Sequence, residues 1–168
     1  MTPPTSSQSR RMVVLVIPCD RFPSRKSPRM KHFDYASPNY YFITICTRGR
    51  ACLFGRPGAL NPLGRVAMEG ILKIEDHFPG VTVDKFVIMP NHVHAIVILN
   101  GSADLSAIIG LYKSYVTKNI RKWIPDLKVW QTSFHDHVIR NQTAYEKIWL
   151  YIDSNPNNWG KDCFFEPL

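Results

Sequence analysis

Residues Val87 to Leu99 read VIMPNHVHAIVIL, and this stretch is the most informative part of the chain. It is apolar and rich in β-branched residues, which is typical of a buried β-strand. Because side chains alternate across a strand, His92 and His94 are expected to share one face with Ile96 and Ile98. Two imidazoles close together on one face suit chelation of a divalent metal ion, and the pattern alone leaves a structural role equally open.

Length and composition indicate one packed globular domain. The chain has 168 residues, of which 45% are hydrophobic and 12% aromatic. No apolar run approaches the roughly 18 residues that a membrane span requires. The apolar run 12–18 follows two arginines as in a signal peptide, but it is short and no small-residue cleavage site follows it. Since the four cysteines form no CxxC pair, we expect reduced thiols and a cytoplasmic location.

Positive charge is concentrated at the N-terminus. The formal net charge is +8, and residues 1–33 hold seven basic residues against Asp20 alone, which accounts for +6 of it. This segment is rich in proline and serine, so we expect a flexible basic arm over residues 1–33 and one domain over residues 34–168. Such arms commonly contact phosphate backbones, and the alternative is a solubilising tail.

Strand and helix patterns alternate along the rest of the chain. Aromatic and β-branched runs predict strands, and apolar residues at helical spacing predict helices. The predicted elements are a strand over 39–47, a helix over 65–78, the strand over 87–99, a helix from 104 or 106 to about 123, an extended segment over 133–140 and a helix over 143–154. This order predicts an α+β sandwich in which helices pack on an antiparallel sheet.

Basic residues recur in the predicted domain as well as in the arm. They lie in the turn after the first strand, on the second helix and at its end, and just before the last helix. The candidate DNA contacts are Arg48, Arg50, Lys113, Lys118, Arg121, Lys122 and Arg140. A solvated surface with no binding role is the alternative interpretation.

Four phrases of the sequence occur together in an order that identifies a family. They are FVIMPNHVHAIVIL, KSYVTKNI, VWQTSFHDHVIRN and YIDSNPNNW. In this order they resemble the REP-associated tyrosine transposases. These enzymes belong to the His-hydrophobic-His superfamily of single-stranded DNA nucleases, which also includes the small insertion-sequence transposases. The resemblance covers roughly residues 33–159. It implies a ferredoxin-like fold whose central antiparallel sheet carries the HxH strand.

The resemblance also implies a set of site residues and a reaction. His92 and His94 match the metal-binding histidines, Tyr151 matches the catalytic tyrosine, and Asn155 stands where a polar residue completes the metal site. Members of the family cut and rejoin single-stranded DNA near imperfect hairpins with Mg²⁺ or Mn²⁺, and leave a 5′-phosphotyrosine. The expected partner is therefore single-stranded or hairpin DNA, for a bacterial, nucleoid-associated protein that is a monomer or a homodimer.

The chemistry of these residue types agrees with that reaction. A phenol with a pKa near 10 is a better leaving group than an alkoxide, so a tyrosine–DNA bond can be resealed by a 3′-hydroxyl. A hard cation on two histidines and an amide oxygen could polarise the scissile phosphate. Tyr151 and Asn155 are four residues apart, which places them on nearly the same side of a helix.

Other residues are weaker candidates for the site. His135 and His137 resemble the histidines of the block before the nucleophile helix, and could bind phosphate, orient a side chain or make structural hydrogen bonds. Asn141, beside Arg140, is a possible support for the site. Tyr115 is the one serious rival nucleophile, because related insertion-sequence enzymes carry their tyrosine on a helix after the HxH strand.

Two functions from different classes remain open on the sequence. The first is a metal-dependent single-stranded DNA endonuclease and strand transferase. The second is a domesticated hairpin-binding protein with little turnover, which would have no need for a tyrosine beside a metal site. A remoter alternative is an HxH metallohydrolase acting on small molecules. Against it we expect no third strong ligand, acidic or histidine, near the pair.

Overall fold

A four-stranded antiparallel sheet forms the centre of the computed structural model, which describes residues 1–3 and 37–168. Its strands lie in the order β4-β5-β1-β6. They are β1 (Asn39–Cys46), β4 (Val81–Met89), β5 (His92–Leu99) and β6 (His135–Ile139). Two further short strands, β2 (Gly55–Arg56) and β3 (Ala59–Leu60), form a separate hairpin. The predicted basic arm over residues 1–33 lies outside the described residues, apart from residues 1–3.

Among the residues that the structure describes, four α-helices accompany the sheet, and three of them begin at a side-chain cap. They are α1 (Pro62–Leu72), α2 (Ile74–His77), α3 (Leu105–Ile120) and α4 (Gln142–Ser154). Asn61, Asp104 and Asn141 accept hydrogen bonds from the first-turn N–H groups of α1, α3 and α4. In the described part of the chain, every helix is too short or too polar to cross a bilayer. Short 3₁₀ helices cover Arg48–Arg50 and Asn155–Lys161.

The two faces of the sheet are covered by different helices. Val93, Ala95 and Val97 of β5 belong to the larger core, which they form with apolar residues of α1 and α3. Ile96 belongs to a second core with Ile148 and other residues of α4. The predicted α+β, ferredoxin-like sandwich is therefore confirmed. The histidine face of β5 is the face that α4 covers.

The stretch over residues 87–99 is two strands and not the single predicted one. β4 ends at Met89 and pairs with β5 as an antiparallel hairpin, in which Met89 lies opposite His92. Pro90 has no N–H group to donate to a ladder, and this favours a turn at Pro90-Asn91. The predicted alternation of faces holds within β5. The predicted helix over 65–78 is likewise divided, into α1 and α2 at Lys73.

Polar contacts fasten α4 to β4. The ammonium group of Lys85 lies 2.6 Å from a carboxylate oxygen of Asp153 and 3.8 Å from the centre of the Trp149 ring. The hydroxyl group of Tyr145 donates a hydrogen bond of 2.7 Å to Asp84. These contacts join α4 to one strand and add to the apolar core that the helix forms with the sheet.

Candidate functional site

The two predicted histidines lie side by side at the start of β5. His92 is 0% and His94 is 1% exposed, and their ring centres are 4.4 Å apart. β1 lies beside them in the sheet, with Cys46 opposite His92 and Thr44 opposite His94. Because both neighbouring strands are fully paired with β5, the backbone holds the two imidazoles in a rigid frame.

Asn91 determines which nitrogen of His92 faces the site. The side-chain N–H groups of Asn91 donate to the carbonyl oxygens of Arg50, at 3.1 Å, and Phe164, at 2.7 Å. The amide oxygen of Asn91 therefore lies against Nδ1 of His92, at 2.8 Å, and accepts a hydrogen bond from it. This assigns the proton of the neutral ring to Nδ1 and leaves a lone pair on Nε2, as metal-binding histidines require.

His94 connects the sheet to α4. Its Nδ1 atom lies 2.8 Å from the hydroxyl oxygen of Thr44, and its Nε2 atom lies 3.2 Å from the hydroxyl oxygen of Tyr151. Tyr151 is in the last turn of α4, and its ring packs edge-on against Phe42 of β1. The predicted nucleophile and the predicted metal ligand are thus in direct contact.

Asp162 joins this group, although nothing in the sequence pattern indicated it. Its Oδ2 atom accepts hydrogen bonds from the hydroxyl group of Tyr151, at 3.2 Å, and from the side-chain amide of Asn155, at 2.7 Å. The same oxygen lies 3.9 Å from Nε2 of His92. The expectation that no third strong ligand lies near the histidine pair was therefore wrong. The carboxylate of Asp162 lies beside the pair, and it belongs to a segment that follows the YIxxNP motif.

The donor set fits a divalent metal ion. His92, His94 and Asp162 each offer one ligand atom, and these three atoms lie within 4.8 Å of one another. Two buried acceptor atoms at the site have no hydrogen-bond partner, Nε2 of His92 and the amide oxygen Oδ1 of Asn155. An unpartnered buried acceptor is costly unless a cation or water satisfies it. Imidazole nitrogen together with carboxylate and amide oxygen is a set that Mg²⁺ and Mn²⁺ accept.

Burial changes the protonation of these groups. It lowers the pKa of His92, and the neighbouring His94 and Arg50 lower it further. It also lowers the pKa of His94, against an opposing effect of Asp162. The pKa of Tyr151 is raised, first by burial and then by the negative charge of Asp162. Both histidines are therefore neutral and ready to coordinate, while the phenol keeps its proton in the absence of a cation.

Aromatic side chains from the segment after α4 pack on the histidines. The ring of Phe164 lies 4.9 Å from that of His92, and the ring of Trp159 lies 6.1 Å from it. The guanidinium group of Arg50 lies 5.4 Å from the centre of the Phe164 ring. These contacts explain why both histidines are almost fully buried. They also place one of the predicted DNA-binding arginines at the rim of the site.

The weaker candidates other than Tyr115 are found in two different environments. His135 and His137 lie on edge strand β6, opposite Thr44 and Phe42, and so on the same face as His92 and His94. Both are exposed, at the margin of the site. Asn141 caps α4, because its side-chain oxygen accepts a hydrogen bond from the N–H group of Ala144.

Tyr115, the rival nucleophile, is far from the histidine face. It belongs to α3, which packs on the opposite face of the sheet. Its hydroxyl group donates to Glu69, at 2.7 Å, and accepts from Lys73, at 2.9 Å. These hydrogen bonds tie α3 to α1, which is a structural role.

Four of the predicted DNA-binding residues lie together, and the other three lie apart from them and from one another. Arg48, Lys113, Lys118 and Arg121 line one groove beside α3. Of the others, Arg50 covers Phe164, Lys122 donates to the side chain of Asn119 at 2.7 Å, and Arg140 is exposed just before α4.

Comparisons with known proteins bear on this geometry. The family described as "Transposase IS200 like" matches residues 39–155, a span that ends before Asp162. An uncharacterized protein of Haemophilus influenzae is 34% identical over 167 residues, covering 84% of this chain and 93% of that protein. The family match over residues 39–155 thus includes the HxH strand and the helix that carries Tyr151.

Two solved structures share the fold. One is a REP-associated tyrosine transposase bound to a REP hairpin, with a TM-score of 0.64 and 24% identity over 79% of this chain and 74% of that one. The other is a candidate transposase of Deinococcus radiodurans, with a TM-score of 0.51 and 16% identity over 75% of this chain and 97% of that one. At these identities the likeness concerns the fold alone.

Proposed function

Because the chain belongs to the IS200-like transposase family, we propose that it is a metal-dependent single-stranded DNA endonuclease and strand transferase with Tyr151 as its nucleophile. The observation that carries this proposal is the contact of 3.2 Å between the hydroxyl group of Tyr151 and Nε2 of His94. A protein that only binds DNA has no need for a tyrosine hydroxyl at the centre of a potential metal site.

The metal ligands in this proposal are His92, His94 and Asp162, with Asn155 as a further oxygen donor. The unpartnered atoms Nε2 of His92 and Oδ1 of Asn155 support it. A bound Mg²⁺ or Mn²⁺ ion would supply Lewis-acid polarisation of the scissile phosphate. Asn91 and Thr44 position the two imidazoles through their Nδ1 atoms.

Cleavage in this scheme is a transesterification. The phenolic oxygen of Tyr151 attacks the scissile phosphorus, a tyrosine–phosphate bond forms, and the bond from phosphorus to the 3′-oxygen breaks to release a 3′-hydroxyl group. The hydrogen bond from Tyr151 to Asp162 gives the phenolic proton a carboxylate acceptor. In the rejoining step a 3′-hydroxyl attacks the phosphotyrosine and the phenol leaves. No water or external energy source is consumed.

Hairpin DNA is the substrate class that we propose. The support is the family resemblance together with the shared fold of a transposase that is bound to a REP hairpin. The oligomeric state, monomer or homodimer, and the cytoplasmic, nucleoid-associated location stay predictions from the sequence.

The test is the formation of a covalent adduct. Purified protein is incubated with labelled single-stranded hairpin DNA from the repeats that flank its own gene, in the presence of Mn²⁺, and analysed on a denaturing gel. We expect a protein–DNA adduct with the wild type and with Tyr145→Phe, which removes another buried hydroxyl group from the same helix. We expect none with Tyr151→Phe.

Two other outcomes would overturn the proposal in different ways. Tight binding of the hairpin by the wild type without any adduct would favour the domesticated binding protein. An adduct that persists in Tyr151→Phe and disappears in Tyr115→Phe would make Tyr115 the nucleophile, against its position on the far face of the sheet.

A further inference from the structure

Trp159 carries a buried hydrogen-bond donor that has no partner among the residues that the structure describes. The residue is 8% exposed, and its indole nitrogen Nε1 is buried without an acceptor. Trp130 is buried to a similar extent, but its indole N–H donates to the carbonyl oxygen of Lys113 at 3.2 Å. A buried N–H group without an acceptor is costly and therefore rare in native proteins. The indole of Trp159 is an exception of the kind that functional sites contain.

This indole lies at the candidate metal site. The centre of its ring system lies 6.1 Å from the ring centre of His92. Trp159 also belongs to the 3₁₀ helix that begins at Asn155 and that Asp162 caps at its C-terminal end. The carbonyl oxygen of Trp159 accepts a hydrogen bond of 3.0 Å from the backbone N–H of Asp162. The indole therefore neighbours one proposed metal ligand and shares a short segment with two others.

The indole differs in its chemistry from the other open atoms of the site. Nε2 of His92 and Oδ1 of Asn155 are acceptors, and a cation can satisfy their lone pairs. An indole nitrogen is a donor only, so a cation cannot satisfy it. It requires an acceptor, and a negatively charged oxygen makes the stronger hydrogen bond. Open acceptors beside one open donor suit a metal ion together with an anionic oxygen.

The carboxylate of the site does not serve as that acceptor. Oδ2 of Asp162 accepts hydrogen bonds from Tyr151 and Asn155. Oδ1 of Asp162 accepts one of 2.7 Å from the backbone N–H of Phe164. Both oxygens are thus engaged by other donors, and the indole of Trp159 has no partner in the described part of the chain. The acceptor is therefore expected to belong to a bound ligand.

We propose that the indole N–H group of Trp159 donates a hydrogen bond to a non-bridging oxygen of the scissile phosphate. The inference rests on the proposed function, which brings this phosphate to the metal ligands beside the indole. Negative charge on the non-bridging oxygens grows as Tyr151 attacks the phosphorus, and a fixed donor in buried surroundings stabilises such charge. Trp159 is then a catalytic residue in addition to the nucleophile.

The kinetic test removes the N–H group and keeps an aromatic ring. The rate of adduct formation is measured in a single turnover for Trp159→Phe, with saturating Mg²⁺ and hairpin DNA. We expect this rate to fall about 100-fold, and the affinity for the hairpin to fall far less, because the contact strengthens as charge develops. The affinity for Mn²⁺ should be unchanged.

Trp130→Phe is the matched control, because it removes an indole of similar burial from the opposite face of the sheet. It should form the adduct at the wild-type rate. It should also lower the melting temperature more than Trp159→Phe does, since only Trp130 makes its indole hydrogen bond in the free protein. Equal losses of rate in the two variants would overturn the proposal.

Sulfur-substituted substrates identify the oxygen that is bound. Two hairpins carry sulfur in place of one or the other non-bridging oxygen of the scissile phosphate, and sulfur is a weak acceptor. Sulfur at the oxygen held by Trp159 should slow the wild type but not Trp159→Phe, which has already lost this contact. Sulfur at the other oxygen should slow both proteins alike. If both proteins responded equally at each position, Trp159 would not contact the scissile phosphate.

A binding measurement reports the hydrogen bond without catalysis. Indole N–H groups give separate proton–nitrogen NMR signals, and that of Trp159 is the signal missing from Trp159→Phe. If this variant does not fold, phenylalanine variants of the other three tryptophans identify the signal by elimination. In Tyr151→Phe saturated with Mg²⁺, we expect the Trp159 signal to move downfield on binding of the hairpin and the Trp130 signal to stay in place. A Trp159 signal that did not move would overturn the proposal.

The two proposals fail in different ways. If the wild type forms no adduct but the Trp159 signal moves on binding of the hairpin, the indole is a phosphate-binding donor and only the catalytic proposal fails. If the wild type and Trp159→Phe form the adduct at the same rate, Tyr151 stands as the nucleophile and the assignment of Trp159 fails. Circular dichroism spectra that match the wild type confirm that the compared variants are folded.

Discussion

The hydroxyl oxygen of Tyr151 lies 3.2 Å from Nε2 of His94, so the proposed nucleophile and a proposed metal ligand share one contact. Nδ1 of His94 is engaged by Thr44, and Nε2 is therefore the nitrogen left for a metal ion. Metal binding and the contact with Tyr151 compete for a single atom. The affinity of the site for metal thus depends on a residue that we do not propose as a ligand.

Removing the tyrosine hydroxyl should strengthen metal binding while it abolishes the adduct. One competing hydrogen bond is worth roughly 0.5–1.5 kcal/mol, so we expect Tyr151→Phe to bind Mn²⁺ about twofold to tenfold more tightly. Titration calorimetry without DNA measures this directly, and Tyr145→Phe should match the wild type. Weaker binding by Tyr151→Phe would mean that the phenolic oxygen is itself a ligand.

The carboxylate of Asp162 should be needed for metal affinity. Asp162→Asn keeps an oxygen that can accept the hydrogen bond from the N–H of Phe164, but removes the negative charge from the donor set. We expect Mn²⁺ to bind at least about tenfold more weakly, which electron paramagnetic resonance of free Mn²⁺ can quantify. Asp126→Asn, in an exposed loop, is the charge-matched control. If Asp162→Asn bound Mn²⁺ as tightly as the wild type, Asp162 would not be a ligand, and only the two histidines and Asn155 would remain as proposed ligands.

Asn91 should act on the metal through the orientation of His92. Asn91→Ala removes the acceptor that assigns the proton of His92 to Nδ1, and leaves the carbonyl oxygens of Arg50 and Phe164 without their donors. We expect metal affinity to fall about 10- to 100-fold, and the free energy of unfolding to fall by about 1–3 kcal/mol. Loss of stability with no change in metal affinity would show that Asn91 only supports the turn.

Acid should destabilise the metal-free protein in a defined range of pH. Burial lowers the pKa of both histidines, that of His94 to about 4, whereas an unfolded histidine has a pKa of about 6.5. Between these values the unfolded chain binds protons that the folded chain does not. The free energy of unfolding should therefore decrease as the pH falls from about 6.5 to about 4, by on the order of 3 kcal/mol from His94 alone.

Urea unfolding at a series of pH values, with metal chelated, measures this dependence. His94→Gln should make the profile less steep between these limits and leave the contribution of His92, while substitution of the exposed His77 by glutamine should leave the profile as in the wild type. If His94→Gln kept the full slope, His94 would not contribute to the pH dependence of stability.

The sequence indicated those parts of the site that lie close together along the chain. His92 and His94 occur two residues apart on a strand, and Tyr151 and Asn155 occur four apart at the end of a helix. The proximity of the two members of each pair follows from one periodicity, that of a strand for the histidines and that of a helix for Tyr151 and Asn155. The order of strands and helices was likewise sufficient to predict an antiparallel sheet with helices packed on it.

The residues that complete the site carry no such periodicity. Thr44 reaches His94 across 50 residues of sequence, and Asn91 reaches the carbonyl group of Phe164 across 73. Asp162 lies seven residues after Asn155, in a segment with neither a strand nor a helix pattern. Contacts of this kind depend on how separate segments pack, so pattern analysis along the chain does not reveal them.

The pairing of β5 with both β1 and β4 constrains how this gene can change in length. A single-residue insertion or deletion in β5 after His92 would turn the following side chains to the opposite face, moving His94 into the core formed with α1 and α3. Only changes of two residues would preserve the alternation. Among natural relatives, we therefore expect insertions and deletions to occur in the loops and not in this strand, even where its apolar residues are substituted by others.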